Sequence, residues 1–261
     1  MRPTILFGSL ALACSGAGPT ASINPPPPPP PGAAALALYT TLDGPNAVMS
    51  PQTGSGSGAV ISTTPANDFV AARVGLGLHA DAIGERVLLR QTDGQKQNVE
   101  LDRGTIEFWY RPNYNHNDNL KYSIAGTGNW LSTGGGAPGA IHLGKHNSSN
   151  NNGIFLIFYD ANGVRWEHDV AVTDYSWRAG DWLLVRLTWD FGVAAGVQNL
   201  HLYVNGSELR LSGQVSRGPQ PVPAERQDQF MYIGSRDLAG SIIPNGLYDE
   251  VRVWDRAIPP S

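Results

Sequence analysis

The chain has 261 residues, of which only 15% are charged and 31 are glycine, and its formal net charge is −4. This small acidic excess offers no basic surface for nucleic acid. Beyond the first residues, no apolar run reaches the roughly 18 residues that a membrane-spanning helix needs. Cys14 is the only cysteine, so an intramolecular disulfide is not possible.

Residues 1–14 have the organisation of a short export signal, in which one arginine precedes an apolar run and small residues (MRPTILFGSLALA). The sequence Leu-Ala-Leu-Ala followed by Cys14 resembles the lipobox of bacterial lipoproteins, although Ala11 stands where that motif usually has leucine. The resemblance implies a lipidated Cys14 and a location in the bacterial cell envelope. Plain secretion is the alternative. We expect membrane contact only through such an anchor.

Residues 15–36 are predicted to be a disordered or extended tether. They are small and polar, except for seven consecutive prolines at 25–31. Prolines in series favour polyproline II, so this run would hold the following domain about 20 Å from its anchor. A ligand for a proline-binding groove is the alternative interpretation.

Residues 37–261 are predicted to form one domain of many short strands separated by turn residues. The clearest unit covers 181–211. In it Leu183, Val185, Leu187 and Trp189 alternate with polar residues, and Asn205-Gly206 indicates a two-residue hairpin turn. The other strands follow the same period-two pattern or are short apolar runs. The predicted strands are 37–41, 74–79, 86–89, 98–101, 104–112, 120–125, 140–143, 154–159, 164–172, 181–190, 200–204, 207–211, 229–234 and 247–254. This pattern is typical of an all-β sandwich.

Four stretches in this order resemble the laminin-G-like jelly roll of the concanavalin A-like lectin/glucanase superfamily: GTIEFWYRP at 104–112, GDWLLVRLTWD at 180–190, LHLYVNG at 200–206, and YIGSRDLAGSIIPNGLYDEVRVWDRAI at 232–258. The last resembles the closing pattern of the family, in which an Ile-Gly pair precedes Asp-Glu-Val-Arg and an aromatic residue. The resemblance implies two stacked, curved antiparallel sheets.

The sequence gives little support for catalysis. Glycoside hydrolases of this superfamily carry Glu-x-Asp-x-x-Glu on one strand, and a retaining pair must lie about 5 Å apart. Glu107 stands alone in its strand, and the nearest approach to such a pair is Glu167 with Asp169. His142 and His146 are spaced for a helix but fall in a strand and a solvated loop, which argues against zinc. We therefore predict a protein that is not an enzyme.

Calcium is the one cofactor that the resemblance implies. Related sandwiches often hold one Ca²⁺ through an aspartate of the last strand, and Asp249 stands at the matching place. Asp43, just after the first strand, is the weaker candidate ligand, and both offer the hard oxygen atoms that Ca²⁺ prefers. The alternative is that Asp249 caps a neighbouring loop by accepting backbone N–H bonds.

Sugar binding requires exposed aromatic rings beside polar side chains, because a pyranose stacks its C–H face on a ring and forms hydrogen bonds around its edge. Trp130 and Tyr114, in polar glycine and asparagine surroundings, are expected to be the best exposed rings. The full set of candidate ligand-binding residues is Trp130, Tyr114, Tyr159, Trp166 and His142.

These observations favour a non-catalytic binding or adhesion module with a glycan as ligand. A structural surface protein that makes protein contacts is the second hypothesis, and a divergent glycoside hydrolase or lyase is the third. Fold alone does not choose among them, since this fold hosts many activities.

Overall fold

The computed structural model describes residues 34–50, 52, 60–62, 68–94, 96–128, 138–151, 153–225, 228–236 and 242–259. The predicted signal with Cys14, the proline run of the tether and Trp130 all lie outside these ranges. Within them, no helix is both long enough and apolar enough to cross a membrane.

The described residues form eighteen strands and a single α-helix, α1 (Pro45–Met49), with two short 3₁₀ turns at Ser148–Asn150 and Val172–Asp174. The strands are β1 (Leu36–Thr40), β2 (Val60–Ser62), β3 (Phe69–Ala71), β4 (Leu76–Ala80), β5 (Arg86–Arg90), β6 (Thr92–Asp93), β7 (Lys96–Gln97), β8 (Arg103–Pro112), β9 (Tyr122–Thr127), β10 (Ile141–Lys145), β11 (Ile154–Tyr159), β12 (Arg165–Val170), β13 (Leu183–Asp190), β14 (Leu200–Val204), β15 (Ser207–Leu209), β16 (Ser212–Gly213), β17 (Phe230–Gly234) and β18 (Gly246–Trp254).

Two eight-stranded antiparallel sheets contain all of these strands except β6 and β7, which form a separate two-stranded ribbon. Sheet 1 has the order β15-β14-β13-β8-β18-β4-β3, with β1 also paired to β18. Sheet 2 has the order β16-β12-β11-β10-β9-β17-β5-β2. The predicted all-β, two-sheet antiparallel sandwich is therefore confirmed.

The unit formed by β13, β14 and β15 shows why the alternating residues specify these sheets. The apolar side chains of β13 face the core, and Trp189 at its end is fully buried. Its Nε1 donates to the carbonyl oxygen of Glu100 at 3.0 Å, so the polar atom of this large ring is satisfied. The predicted turn is also confirmed, because Asn205 and Gly206 both have positive φ, at 52° and 82°.

The core lies between the sheets and is one large cluster. Phe108 of sheet 1 and Leu156 and Phe158 of sheet 2 are among its fully buried members. Burying each such side chain contributes about 1.5–3 kcal/mol. One face of every central strand is thus fixed against the core, and the alternate residues form the opposite face of each sheet.

One predicted strand, 98–101, is wrong. Asn98 instead closes the β6–β7 ribbon: its side-chain Nδ2 donates to the carbonyl of Arg90 at 3.0 Å and its backbone N–H to that of Gln91 at 2.8 Å. These bonds hold the segment as a turn, which asparagine favours through its side-chain amide.

His168 of β12 gives the core a pH-dependent stability. Its Nδ1 lies 3.1 Å from the carbonyl of Leu156, and its Nε2 accepts from the N–H of Ser216 at 2.9 Å, which fixes the neutral imidazole. Burial lowers its pKa from 6.5 to about 4, although the Leu156 carbonyl and nearby Glu167 act in the opposite direction. Because the folded-state pKa is lowered, this stability is present above pH 6.5 and is lost as the pH falls towards 4.

When the pH falls from about 7 to about 5, we expect the protonation of His168 alone to reduce the free energy of unfolding by about 2 kcal/mol. Urea denaturation of the wild type and of His168→Gln at both pH values measures this, since the other titrating groups are common to both proteins. The variant should show the smaller change with pH. An equal change in the two proteins would contradict the assignment.

Candidate functional site

The outer face of sheet 2 receives alternate side chains of β12. Trp166, His168 and Val170 point to the core side, whereas Arg165, Glu167 and Asp169 point outward. The expectation that Glu167 and Asp169 share one strand face is confirmed. They lie across from Ile157 and Phe155 of β11 in the antiparallel register.

An aromatic floor covers the middle of this face. The ring of Phe155 lies over Gly144, where a Cβ would collide with it, and the ring of Tyr232 lies over Gly126 in the same way. His142 stands between them, with its ring centroid 4.9 Å from that of Phe155 and 6.1 Å from that of Tyr232. Glycine on the two central strands thus allows large rings to lie across the sheet.

His146 meets the two carboxylates at one edge of the floor. Its Nε2 lies 3.3 Å from Glu167 Oε1 and 3.5 Å from Asp169 Oδ1, and the three donor atoms all lie within 4.8 Å of one another. His146 is 5% exposed, and its ring centroid is 4.4 Å from that of Phe155. This cluster, the His146–Glu167–Asp169 triad, could hold a metal ion.

Further polar groups fix and surround the triad. Arg165 Nη1 lies 2.6 Å from the second carboxylate oxygen of Glu167, and Asn150 Nδ2 lies 3.3 Å from His146 Nδ1. Lys121 is half-buried, with its Nζ 5.2 Å from the centroid of the Phe155 ring. The site therefore combines anionic acceptors with cationic donors beside the aromatic floor, whose Phe155 and Tyr232 rings are themselves buried.

Burial is the main influence on the titration of these groups. It lowers the pKa of Lys121, with Arg236 acting in the same direction, and it raises the pKa of Asp169, with Glu167 as the next cause. It also lowers the pKa of His146, and it holds the pKa of His142 well below its usual range. Both imidazoles are therefore neutral at pH 7.

The candidate sugar-binding residues do not gather at one place. Tyr159 is half-buried on the outer face of sheet 2, in a small cluster with Leu88 and Tyr232, and His142 is fully buried in the aromatic floor. Trp166, in contrast, packs against the core from the inner face. Its position in the alternation of β12 excludes it from the outer surface.

The expectation that Tyr114 is exposed is wrong. Its side chain is only 4% exposed, and its ring stacks on that of Tyr122 with centroids 3.8 Å apart. Its hydroxyl also accepts a hydrogen bond from Tyr110 at 3.0 Å. The asparagines beside it in sequence occupy the loop surface while this ring turns inward, so polar neighbours were a misleading guide.

His146 is the member of the site that sequence reasoning missed, because it was assigned to a solvated loop. The usable signal was its parity with His142 and Gly144, since residues two and four apart in a strand share a face. That parity continues one residue beyond β10. His142, for its part, lies outside the triad.

The two candidate calcium ligands lie together at the turn between β3 and β4. Asp249 Oδ2 accepts from the N–H of Val74 at 2.8 Å, and Asp43 Oδ1 accepts from that of Leu76 at 2.7 Å. Asp249 is fully buried, and no described residue forms a hydrogen bond to its Oδ1. Burial raises its pKa to about 7, and Glu250 and Asp43 add to the shift.

Both interpretations of Asp249 retain support in this geometry. One oxygen caps the turn, as the structural alternative expected. The other is an orphaned buried acceptor with anionic neighbours, and a cation would satisfy it. The residues present therefore fit a hard cation such as Ca²⁺.

Solved structures with the same fold include domain 4 of AbnA, a GH43 extracellular arabinanase from Geobacillus stearothermophilus, in complex with arabinotriose. It is 16% identical, with 87% of this chain and 95% of that one covered and a TM-score of 0.52. Trypanosoma rangeli sialidase in complex with the inhibitor DANA is 18% identical, with 85% of this chain covered and a TM-score of 0.51. This chain spans only 31% of that sialidase.

Identities this low show the fold alone. Comparison with curated proteins gives no significant match. The family model Laminin_G_3, described as the Concanavalin A-like lectin/glucanases superfamily, matches residues 91–261. That match covers most of the chain and contains all four motifs that carry the resemblance. On this evidence, the chain belongs to the Laminin_G_3 family of the concanavalin A-like lectin/glucanases superfamily.

Proposed function

We propose that this protein is a non-catalytic, glycan-binding module whose ligand binds on the outer face of sheet 2. The observation that carries the proposal is the grouping of carboxylates, an imidazole and cationic side chains beside the aromatic floor. The side chains of Glu167 and Asp169 are 24% and 43% exposed, so a ligand can reach them.

The polar side chains around the aromatic floor suit a polyhydroxylated ligand. Carboxylates of Glu167 and Asp169 accept hydrogen bonds from sugar hydroxyls, and the ammonium of Lys121 donates to them. Tyr159 and Phe230, half-buried on the same face, offer apolar ring surface for the C–H groups of a sugar. A complex of arabinotriose with domain 4 of AbnA, which has the same fold, supports a glycan as the class of ligand.

A screen of the full chain on a glycan array, with and without calcium, tests this proposal. Glu167→Gln should weaken binding of any positive glycan at least about tenfold, because a hydrogen bond to a charged group contributes about 1.5–3 kcal/mol. Glu208→Gln is the matched control: Glu208 is an exposed glutamate on β15 of sheet 1, and its loss should leave binding unchanged. Failure to bind any glycan in either condition would refute the proposal.

A divergent glycoside hydrolase is the second candidate. Its specific support is the spacing of the carboxylate donor atoms of Glu167 and Asp169, which lie within 4.8 Å of each other and so near the separation of a retaining pair. Release of reducing sugar from a glycan that the array identifies would favour this function. A surface that makes protein contacts is the remaining alternative.

We also propose that Asp249, with Asp43, holds a structural calcium ion at the β3–β4 turn. The support is the orphaned, fully buried Oδ1 of Asp249 beside a second carboxylate. Such an ion would neutralise charge that burial makes unfavourable and would tie the last strand to this turn.

Export and lipid anchoring at Cys14 are proposals from the sequence alone. Their support is the apolar leader before Cys14 and the proline-rich tether after it. An anchor of this kind would place the glycan-binding face outside the cell.

A further inference from the structure

We propose that the His146–Glu167–Asp169 triad binds one divalent d-block cation, with zinc as the representative ion. The proposal concerns the cation alone and does not depend on glycan binding by the same face. In a tetrahedral site with ligand-to-zinc distances of about 2.1 Å, two donor atoms stand about 3.4 Å apart. His146 Nε2 already lies at 3.3 and 3.5 Å from the two carboxylate oxygens.

Hydrogen bonding alone does not account for this arrangement. The single N–H at His146 Nε2 can serve one oxygen well, and Glu167 Oε1 is the nearer. Asp169 Oδ1 is buried and has no hydrogen-bond partner among the described residues, although it lies 3.5 Å from the same nitrogen. A cation in place of that proton would contact both oxygens and satisfy the orphaned one.

The outer contacts of the triad are those of a built metal site. Arg165 holds the Glu167 oxygen that does not face His146, at 2.6 Å, and the Asn150 side chain lies against His146 Nδ1 at 3.3 Å. Arg165 thus orients one ligand, and the Asn150 amide, rotated so that its Oδ1 faces Nδ1, would accept the N–H of a histidine that ligates through Nε2. His146 is 5% exposed and the Asp169 side chain 43%, so the triad is buried on its histidine side and open to solvent on its aspartate side.

The donor set selects the metal. One imidazole nitrogen with two carboxylates suits zinc and neighbouring d-block ions, whereas Ca²⁺ and Mg²⁺ prefer all-oxygen sites. The two carboxylates balance the charge of the ion, while the nearby ammonium of Lys121 and guanidinium of Arg165 oppose it. Because the Asp169 side chain is 43% exposed, the fourth position faces solvent, where water or an external oxygen ligand would complete the tetrahedron.

Equilibrium dialysis of the full chain against Zn²⁺ alone, after treatment with a chelator, measures the binding. We expect one site per chain that His146→Gln and Asp169→Asn weaken by more than the roughly 10- to 100-fold that loss of an outer contact costs. Asn150→Ala should weaken it by about tenfold. His201→Gln is the matched control, since His201 is a half-exposed histidine 2.6 Å from Glu208 on sheet 1.

Co²⁺ provides a spectroscopic readout of the same site. Wild type should show the visible absorption of tetrahedral Co²⁺, and His146→Gln should lack it while retaining the wild-type far-ultraviolet circular dichroism. Equal Zn²⁺ affinity in wild type and His146→Gln, or no Zn²⁺ binding by wild type, would overturn the proposal. Since no glycan is present, either result is independent of the array screen.

Discussion

Replacement of Lys145 by methionine is expected to lower the free energy of unfolding by about 3 kcal/mol and the melting temperature by about 6–12 °C. The side chain of Lys145 is fully buried. Its Nζ lies 2.6 Å from the carbonyl oxygen of Asp118, 3.1 Å from that of Leu120 and 3.0 Å from that of His146. It also lies 3.1 Å from Asp118 Oδ1.

Methionine keeps the length and apolar stem of the lysine but removes every donor. The carbonyls around Nζ would then lose this partner, at about 1–3 kcal/mol for each that water cannot reach, which applies most to the buried His146 carbonyl. The half-exposed side chain of Asp118 can regain water, which limits the loss. Because one of the carbonyls belongs to His146, the same change should also loosen the triad and weaken Zn²⁺ binding.

Lys121→Met is the matched control for this prediction, and thermal and urea denaturation measure both variants. Lys121 precedes β9 and is half-buried, but within the described part of the chain its ammonium has neither a hydrogen bond nor an ion pair. Its loss should change stability by less than about 1 kcal/mol. Equal destabilisation by the two substitutions would show that the hydrogen bonds from Lys145 Nζ to the surrounding oxygen atoms do not stabilise the fold.

Period-two alternation was sufficient to predict the sheets because it is a local property. Leu183, Val185 and Leu187 face the core as expected, and the Asn205-Gly206 turn sets the register of β14 against β15. The 98–101 segment failed because its structure depends on hydrogen bonds that no alternation encodes. The local sequence pattern thus predicts strands and turns, but it does not predict which polar residues form the hydrogen bonds that fix a loop.

The candidate site was only half predictable for a related reason. Glu167 and Asp169 are two apart in one strand, so their shared face follows from the sequence. His146 joins them only because β11 pairs with both β10 and β12, which brings residues of these two flanking strands to the same edge of the aromatic floor. That pairing, and the register across it, is a long-range property. The same limit explains Tyr114, whose burial depends on Tyr122 and Tyr110 rather than on its neighbours in sequence.

Calcium is expected to stabilise the wild type by about 2.7 kcal/mol when its concentration is a hundred times the dissociation constant. This would raise the melting temperature by about 5–10 °C. The reason is the fully buried carboxylate of Asp249: one oxygen accepts from the N–H of Val74, and the other has no hydrogen-bond partner in the described part of the chain. Thermal denaturation near pH 8 in calcium and in a chelator measures the difference, and Mg²⁺ should have the smaller effect because it gives up its water reluctantly.

Asp249→Asn separates a calcium site from a simple turn cap. The amide oxygen can still accept from the N–H of Val74, so the cap is kept while the charge is removed. We expect the variant to lose the calcium response and, in chelator, to be at least as stable as the wild type, since the buried charge is gone. Asp81→Asn is the matched control, because Asp81 is an exposed aspartate and its loss should leave the calcium response intact. A full calcium shift in Asp249→Asn would place the ion elsewhere, and destabilisation of that variant in chelator would mean that the charge itself supports the turn.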